Sequence, residues 1–156
     1  MTDYNAFPTS IGYKTKGLKT MEISTASAKK LPNILAIDNN VLLLRTVKEM
    51  LYGKYNVAIA TSGNQAFDQL AIKTPDLILL DYEMPYQNGG DLFKKFKEDF
   101  ATRNIPIIFF TGSSDLETVS KLLSLKPDGY MLKPPSKAKL VALIEKTLNK
   151  NHEVSE

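Results

Sequence analysis

The sequence predicts a doubly wound α/β fold, a three-layer sandwich around a five-stranded parallel sheet in the order 2-1-3-4-5. Five short apolar runs alternate with amphipathic segments from Leu31 onward, which is typical of repeated βα units. The run from Leu77 to Leu80 is apolar throughout, as expected of a strand that is buried on both faces. We predict the order 2-1-3-4-5 because it is the simplest one that has right-handed crossovers and helices on both faces of the sheet.

The same alternation places each element along the chain. The predicted strands are 33–37, 56–60, 77–80, 106–110 and 129–132, and the predicted helices are 40–52, 64–73, 90–99, 114–124 and 137–149. Three helices have nearby side-chain oxygens that can accept hydrogen bonds from the N–H groups of a first turn. These predicted caps are Thr61 or Ser62, Ser113 or Ser114, and Ser136.

The composition argues against several function classes. The 156 residues, 43% hydrophobic and 24% charged, fit one soluble domain. There is no cysteine, and the single histidine, His152, lies near the polar end of the chain, which disfavours thiolate or multi-histidine metal sites and Ser/His/Asp catalysis. No apolar stretch approaches the roughly 20 residues that span a bilayer, and the start lacks a secretory signal. We therefore expect an unexported, cytoplasmic protein that does not enter a membrane.

The net charge of +3 is confined to the start of the chain. Residues 1–30 contain five lysines against Asp3 and Glu22, whereas residues 31–156 contain equal numbers of basic and acidic side chains. A neutral domain gives no support for nucleic-acid binding. Because residues 1–30 show no helical or strand periodicity, we expect a disordered or irregular arm there, a domain at 31–150 and a C-terminal tail at 151–156.

Polar side chains follow four of the predicted strands. Asp38 ends the first strand, Asp81 the third, Thr111 the fourth and Lys133 the fifth. The carboxyl ends of parallel strands meet at one edge of an open sheet, where ligands bind. Each residue alone has an ordinary alternative, such as a helix cap or a solvated lysine, but the four together predict a site.

Two carboxylates, a hydroxyl and an ammonium suit a site for Mg²⁺ and phosphate. A hard cation takes one or two carboxylates together with phosphate oxygens, and a lysine adds a positive point charge. An ionised aspartate can attack phosphorus and form an acyl phosphate when the charge on the transferred group is neutralised.

With these residues in view, the sequence resembles the receiver domains of bacterial two-component response regulators, which have a flavodoxin-like fold. The resemblance covers about residues 32–149. It implies that Asp81 accepts a phosphoryl group from a histidine kinase or phosphotransfer protein with the help of Mg²⁺, so that the chain is a signalling module and not an enzyme. The motifs that carry it are ILAID at 34–38, LILLDYEMP at 77–85, NGG at 88–90, PIIFFTG at 106–112 and GYMLKPP at 129–135.

The resemblance also implies roles for the later strand ends. Lys133 would pair with the phosphoryl group, and Thr111 would move to bond one of its oxygens. Tyr130 would turn inward as a coupled switch. The Lys133-Pro134 peptide would be cis, a geometry that is essentially confined to proline.

The implied magnesium ligands depart from the family pattern at one position. Asp38, Asp81 and the backbone carbonyl of Glu83 would hold the ion, but Asn39 stands where receivers usually have a second acid. A neutral amide is a weaker ligand for a hard cation, so we expect reduced Mg²⁺ affinity and slower phosphorylation. We hypothesise that the Glu83 carboxylate partly replaces the missing charge; the alternative is a solvated loop acid that affects only hydrolysis of the acyl phosphate.

Because the sequence resembles receiver domains but has Asn39 in place of the second acid, two main functions are considered. We expect a stand-alone receiver that signals to a downstream protein through its helix 4, strand 5 and helix 5 face, because neither the arm nor the residues after Asn149 suffice for an effector domain. Asn39 supports the alternative, a degenerate receiver that binds partners without phosphorylation. A cofactor-binding enzyme is disfavoured because no P-loop or dinucleotide glycine pattern occurs. The cognate kinase, the downstream target and dimerisation on activation stay open.

Overall fold

The computed structural model describes residues 29–153, which form a five-stranded parallel sheet flanked by five helices. The predicted order β2-β1-β3-β4-β5 is confirmed. No helix among the described residues is long and apolar enough to cross a membrane. The strands are β1 Asn33–Ile37, β2 Asn56–Ala60, β3 Leu77–Asp81, β4 Ile107–Thr111 and β5 Gly129–Leu132, and the helices are α1 Val41–Leu51, α2 Gly63–Ile72, α3 Gly89–Glu98, α4 Leu116–Ser124 and α5 Lys137–Glu153.

The sheet separates two apolar cores. Leu80 packs with Phe96 and other residues of α2, α3 and α4, whereas Leu79 packs with Ile144 and other residues of α1 and α5. Successive side chains of a strand point to opposite faces, so both faces of β3 need apolar residues. Every residue of β3 and β4 is buried for this reason, and the last residues of the two strands, Asp81 and Thr111, are their only polar positions.

Two of the predicted helix starts agree with the hydrogen bonds observed. The Ser62 side chain accepts from the backbone N–H of Gln65 at 3.3 Å and caps α2. The Ser136 hydroxyl accepts from the N–H of Lys139 at 3.3 Å at the start of α5. Apart from the start of α4 and the end of α5, all element boundaries lie within one residue of the prediction.

The prediction that Ser113 or Ser114 caps α4 was wrong. The cap is Asp115, whose carboxylate accepts from the N–H of Thr118 at 2.9 Å, so the helix begins at Leu116. The Ser113 hydroxyl donates to Asp115 instead. This bond and the Thr118 N–H lower the pKa of Asp115 to about 2, and the ionised carboxylate is a stronger acceptor for the first turn than a serine hydroxyl.

The last helix is longer than predicted. It continues to Glu153, four residues past the expected end at 149, so residues 151–153 are helical and not part of a tail. Lys150 lies in its last turn, where its positive charge interacts favourably with the helix dipole. The predicted arm at 1–30 falls almost entirely on residues 1–28, which lie outside the described part of the chain, as do residues 154–156.

We predict that Phe96→Ala lowers the free energy of unfolding by about 3–5 kcal/mol, because it removes a fully buried ring and leaves a cavity. Phe100→Ala is the matched control, since Phe100 is 80% exposed and its truncation should change stability by about 0.5 kcal/mol at most. Urea unfolding of both variants measures the difference. Equal losses would contradict the assignment of Phe96 to the core.

Candidate functional site

The predicted site residues lie at the carboxyl edge of the sheet. Asp81 and Thr111 are the last residues of β3 and β4, and Asp38 and Lys133 directly follow β1 and β5. Asp38, Asp81 and Thr111 are buried, although each is polar. The fold therefore brings together residues that are up to 95 positions apart in the sequence, Asp38 and Lys133.

The Lys133 ammonium lies between the two carboxylates. Its Nζ is 2.7 Å from Asp38 Oδ2 and 2.9 Å from Asp81 Oδ1. Burial alone lowers the pKa of Lys133, but the hydrogen bonds and charges of the two carboxylates outweigh it and raise that pKa. The carboxylate side chains are only 5% and 2% exposed, so these attractions are weakly screened by solvent.

The Asp81 carboxylate is only partly compensated. Its Oδ1 accepts from Lys133 Nζ and also from the backbone N–H of Glu83, at 3.1 Å. Burial, with a smaller contribution from the nearby charge of Asp38, raises the pKa of Asp81 despite the lowering effect of these contacts. A carboxyl group whose pKa is perturbed by burial and by named charges at a strand end is a candidate for chemistry.

Asp38 holds the start of α1 as well as the lysine. Its Oδ1 accepts from the N–H of Asn40 at 2.7 Å, and Asn40 in turn caps α1 by accepting from Leu43. Its Oδ2 is fully buried and, apart from the ion pair with Lys133, has no hydrogen-bond partner among the described residues. Asn39 is exposed and lines an open groove of about 970 Å³ beside the β3–α3 loop.

The oxygen atoms at this edge fit a hard cation such as Mg²⁺. Asp38, Asp81, the Glu83 carbonyl and the Asn39 amide are the donor types that such an ion accepts, and among the described residues Asp38 Oδ2 is paired with Lys133 alone. Within residues 29–153 there is no cluster of three or more acidic, histidine or cysteine side chains that could hold a metal. Such a site would rely on water and phosphate oxygens for the remaining ligands.

The Glu83 side chain reaches the loop after β4. Its Oε2 accepts from the N–H of Gly112 at 3.1 Å. Glu83 therefore contacts the Asp81 carboxylate through its backbone and the β4–α4 loop through its side chain. The sequence pointed to Glu83, but gave no signal for Gly112 as its partner, because the bond spans 29 residues.

Neither predicted switch residue has a recorded hydrogen bond to Asp81 among the described residues. The Thr111 hydroxyl accepts from the N–H of Ser113 at 3.2 Å and donates to the carbonyl of the same residue at 3.3 Å. Tyr130 is 40% exposed on the edge strand β5. The Lys133-Pro134 peptide is cis, as predicted.

Gly89 allows the β3–α3 loop to pass against the end of β3. A Cβ placed at Gly89 would overlap the carbonyl oxygen of Asp81 and lie 2.8 Å from the Cα of Tyr82. The Gly89 N–H donates to the Tyr82 carbonyl at 3.1 Å. Within the NGG motif, sequence reasoning did not single out this glycine, because its necessity depends on how the loop packs.

Comparisons with known sequences agree with this geometry. A profile of the response regulator receiver domain matches residues 34–145. The transcriptional regulatory protein CrdR of Helicobacter pylori is 33% identical over 117 residues, which are 74% of this chain and 54% of that protein. The transcriptional regulatory protein CpxR of Escherichia coli (strain K12) is 37% identical over 121 residues, 76% of this chain and 50% of that protein. The chain spans about half the length of these two relatives.

Solved structures give the same result for the fold. A CheY-like response regulator receiver domain protein from Methanospirillum hungatei JF-1 superposes with a TM-score of 0.71 at 25% identity, covering 80% of this chain and 98% of that one. The chemotaxis protein CheY4 of Vibrio cholerae superposes with a TM-score of 0.70 at 21% identity, covering 76% and 99%.

We predict that Gly89→Ala displaces the β3–α3 loop and destabilises the protein by about 1–3 kcal/mol, the usual cost of overpacking. Gly90→Ala is the matched control, because a Cβ there meets only side-chain atoms, at 3.0–3.4 Å. Denaturant unfolding measures both, and amide NMR reports whether Asp81 and Tyr82 shift. A Gly89→Ala protein as stable as Gly90→Ala would contradict the steric argument.

Proposed function

Because this chain belongs to the response regulator receiver domains, we propose that it accepts a phosphoryl group on Asp81 and transmits the signal by a conformational change. Receiver domains are signalling domains that interact with histidine kinases or phosphotransfer proteins. The observation that supports the assignment to this chain is the Lys133 ammonium between the buried carboxylates of Asp38 and Asp81.

In the proposed step an Asp81 oxygen attacks the phosphorus of a phosphohistidine. An O–P bond forms while the P–N bond breaks, and the electron pair leaves with the imidazole, which takes up a proton. Asp81 is buried at the end of β3, so its carboxylate is poorly hydrated and fixed in place for this attack. Lys133 neutralises charge on the transferred phosphoryl oxygens, which otherwise repel the attacking carboxylate.

We propose that Mg²⁺ is held by Asp38, Asp81 and the Glu83 carbonyl, with Asn39 as a weak additional contact. Receiver domains generally bind this ion at the phosphorylation site. When bound, it neutralises charge on the phosphoryl oxygens. The neutral Asn39 leaves two carboxylates for this task, so the affinity of this chain for Mg²⁺ is low.

We propose that the conformational change alters the surface formed by α4, β5 and α5, and that a downstream protein binds there. When Asp81 carries a phosphoryl group, the Thr111 hydroxyl leaves Ser113 for a phosphoryl oxygen and Tyr130 turns inward. Several apolar side chains are exposed on this surface, as expected of a site that binds another protein. These are Leu116 at 88%, Leu123 at 48%, Tyr130 at 40% and Leu132 at 43% exposure.

The alternative function is a degenerate receiver that binds its partner without phosphorylation. Asn39 favours it, because a site that fails to retain Mg²⁺ is not phosphorylated at a useful rate. The intact ion-pair geometry at Lys133 favours the phosphorylated form, since a site with no phosphoryl group to bind gains little from burying two carboxylates and a lysine.

We predict that acetyl phosphate with Mg²⁺ adds one phosphoryl group to the protein, detected by intact-mass spectrometry. Asp81→Asn should abolish the adduct because it removes the nucleophile. Asp76→Asn is the matched control: Asp76 lies just before β3, at the opposite end of the same strand, where it accepts from the N–H of Asn33. It should leave the adduct unchanged.

The mass measurement separates the two functions. An adduct that depends on Asp81 supports phosphotransfer, whereas no adduct at any Mg²⁺ concentration supports the degenerate receiver. An adduct that persists in Asp81→Asn would place the phosphoryl group elsewhere and contradict the assignment of the acceptor.

We predict that Asn39→Asp raises the affinity for Mg²⁺ by about tenfold or more, because a unit negative charge about 4 Å from a divalent cation contributes about 2 kcal/mol even in water, and tenfold corresponds to about 1.4 kcal/mol. Asn40→Asp is the matched control; it adds the same charge one residue further on and keeps the helix cap, so it should have a much smaller effect. Tyrosine fluorescence during Mg²⁺ titration reports both affinities. Equal affinities for the two variants would show that position 39 does not contact the ion.

A further inference from the structure

The Glu83 carboxylate accepts a hydrogen bond from a backbone N–H group beside the site, that of Gly112. Glu83 Oε2 accepts from the Gly112 N–H at 3.1 Å, while the Glu83 N–H donates to Asp81 Oδ1 at the same distance. A Cβ at Gly112 would lie 3.3 Å from Glu83 Oε2, tighter than most real Cβ contacts, so glycine gives the carboxylate its room. One residue therefore connects the Asp81 carboxylate to the loop after β4.

The Gly112 N–H is the type of donor that a phosphoryl group takes. Backbone N–H groups form strong hydrogen bonds to anionic oxygens and hold oxyanions in many sites. Gly112 directly follows β4, which pairs with β3 so that Asp81 lies opposite Phe110. A phosphoryl group on Asp81 extends from this strand end towards the same loop. Glu83 already presents an anionic oxygen to that donor.

Glu83 also adds negative charge at the mouth of the site. Asp38 and Asp81 already share the Lys133 ammonium, and the Glu83 carboxylate adds a further negative charge beside Gly112. The phosphoryl group is itself anionic. Like charges at short range repel, so the charge of Glu83 opposes the arrival of that group in addition to filling the Gly112 donor.

We propose that Glu83 is an internal competitor for the phosphoryl group: its carboxylate holds the Gly112 amide in the resting state and releases it when Asp81 is phosphorylated. This rests on the proposed function and describes a regulation of the same site. The release also breaks a link between the β3–α3 and β4–α4 loops, so the segment leading into α4 is freed in the same event.

The test compares the wild-type chain with Glu83→Gln, which keeps the shape of the side chain and removes its charge, and with Glu83→Ala, which removes the acceptor as well. Glu117→Gln is the charge-matched control, because Glu117 is exposed on α4 and pairs with Lys121. Each protein is titrated with beryllofluoride, a non-covalent phosphoryl mimic, after its Mg²⁺ affinity is measured so that Mg²⁺ is saturating. Fluorine NMR gives the bound fraction.

Both Glu83 variants are expected to bind beryllofluoride about three- to fivefold more tightly, the size of an exposed charged contact. Glu117→Gln should stay within about twofold of the wild type. In Glu83→Ala the Gly112 amide proton should exchange with solvent faster, which reports the lost contact without any phosphoryl mimic.

Unchanged or weaker beryllofluoride binding by Glu83→Gln overturns the competitor role. A loss of Mg²⁺ affinity in Glu83→Gln also overturns it, and indicates that this carboxylate compensates for Asn39. If the wild-type chain binds the mimic and is phosphorylated on Asp81 but the variants bind no more tightly, only this inference fails. If no protein binds the mimic and Asp81 gains no phosphoryl group, the proposed function fails and the competitor role with it.

Discussion

The ion pairs of Lys133 with Asp38 and Asp81 are the interaction on which the rest of the site depends. Two buried carboxylates at one strand edge repel each other and lose hydration, and a single ammonium offsets both effects. Because β4 lies between β3 and β5, the lysine side chain reaches across the end of β4. Removal of the ammonium would leave two buried carboxylates without a counter-charge, and their mutual repulsion would destabilise this edge of the sheet.

The fold was predictable because buried strands and helix faces leave a periodic pattern in the sequence, and the strand order then determined which polar residues meet. The N-cap of α4 was not predictable, because both Ser113 and Asp115 have side chains that can cap a helix. In the structure Asp115 is the cap, and the Ser113 hydroxyl donates a hydrogen bond to its carboxylate. The contact of Glu83 with Gly112 depends on a side-chain rotamer and a loop path, neither of which has a sequence pattern. The stand-alone organisation and cytoplasmic location stay predictions.

Hydrogen bonds, together with the peptide link between Thr111 and Gly112, connect Asp81 to α4. Asp81 accepts from Glu83, whose side chain binds the loop residue next to Thr111; Thr111 and Asp115 both bond to Ser113, and Asp115 caps α4. Each bond in this series is a polar contact in a loop, where alternative partners are within reach. A phosphoryl group that takes over the Gly112 amide and the Thr111 hydroxyl therefore changes the surroundings of the helix cap directly, with no need for a shift in the packed core.

The charge at the site is redistributed relative to the receiver pattern that the sequence resembles. The neutral Asn39 removes a carboxylate beside the expected metal position, and Glu83 supplies one on the side of the β4–α4 loop. Coulomb attraction falls as the inverse of distance, whereas direct coordination needs an oxygen at the ion itself. In the proposed site the Glu83 oxygen is occupied by the Gly112 N–H, so this carboxylate does not take the place of a ligand at position 39. Retention of Mg²⁺ would then depend on the carboxylates of Asp38 and Asp81.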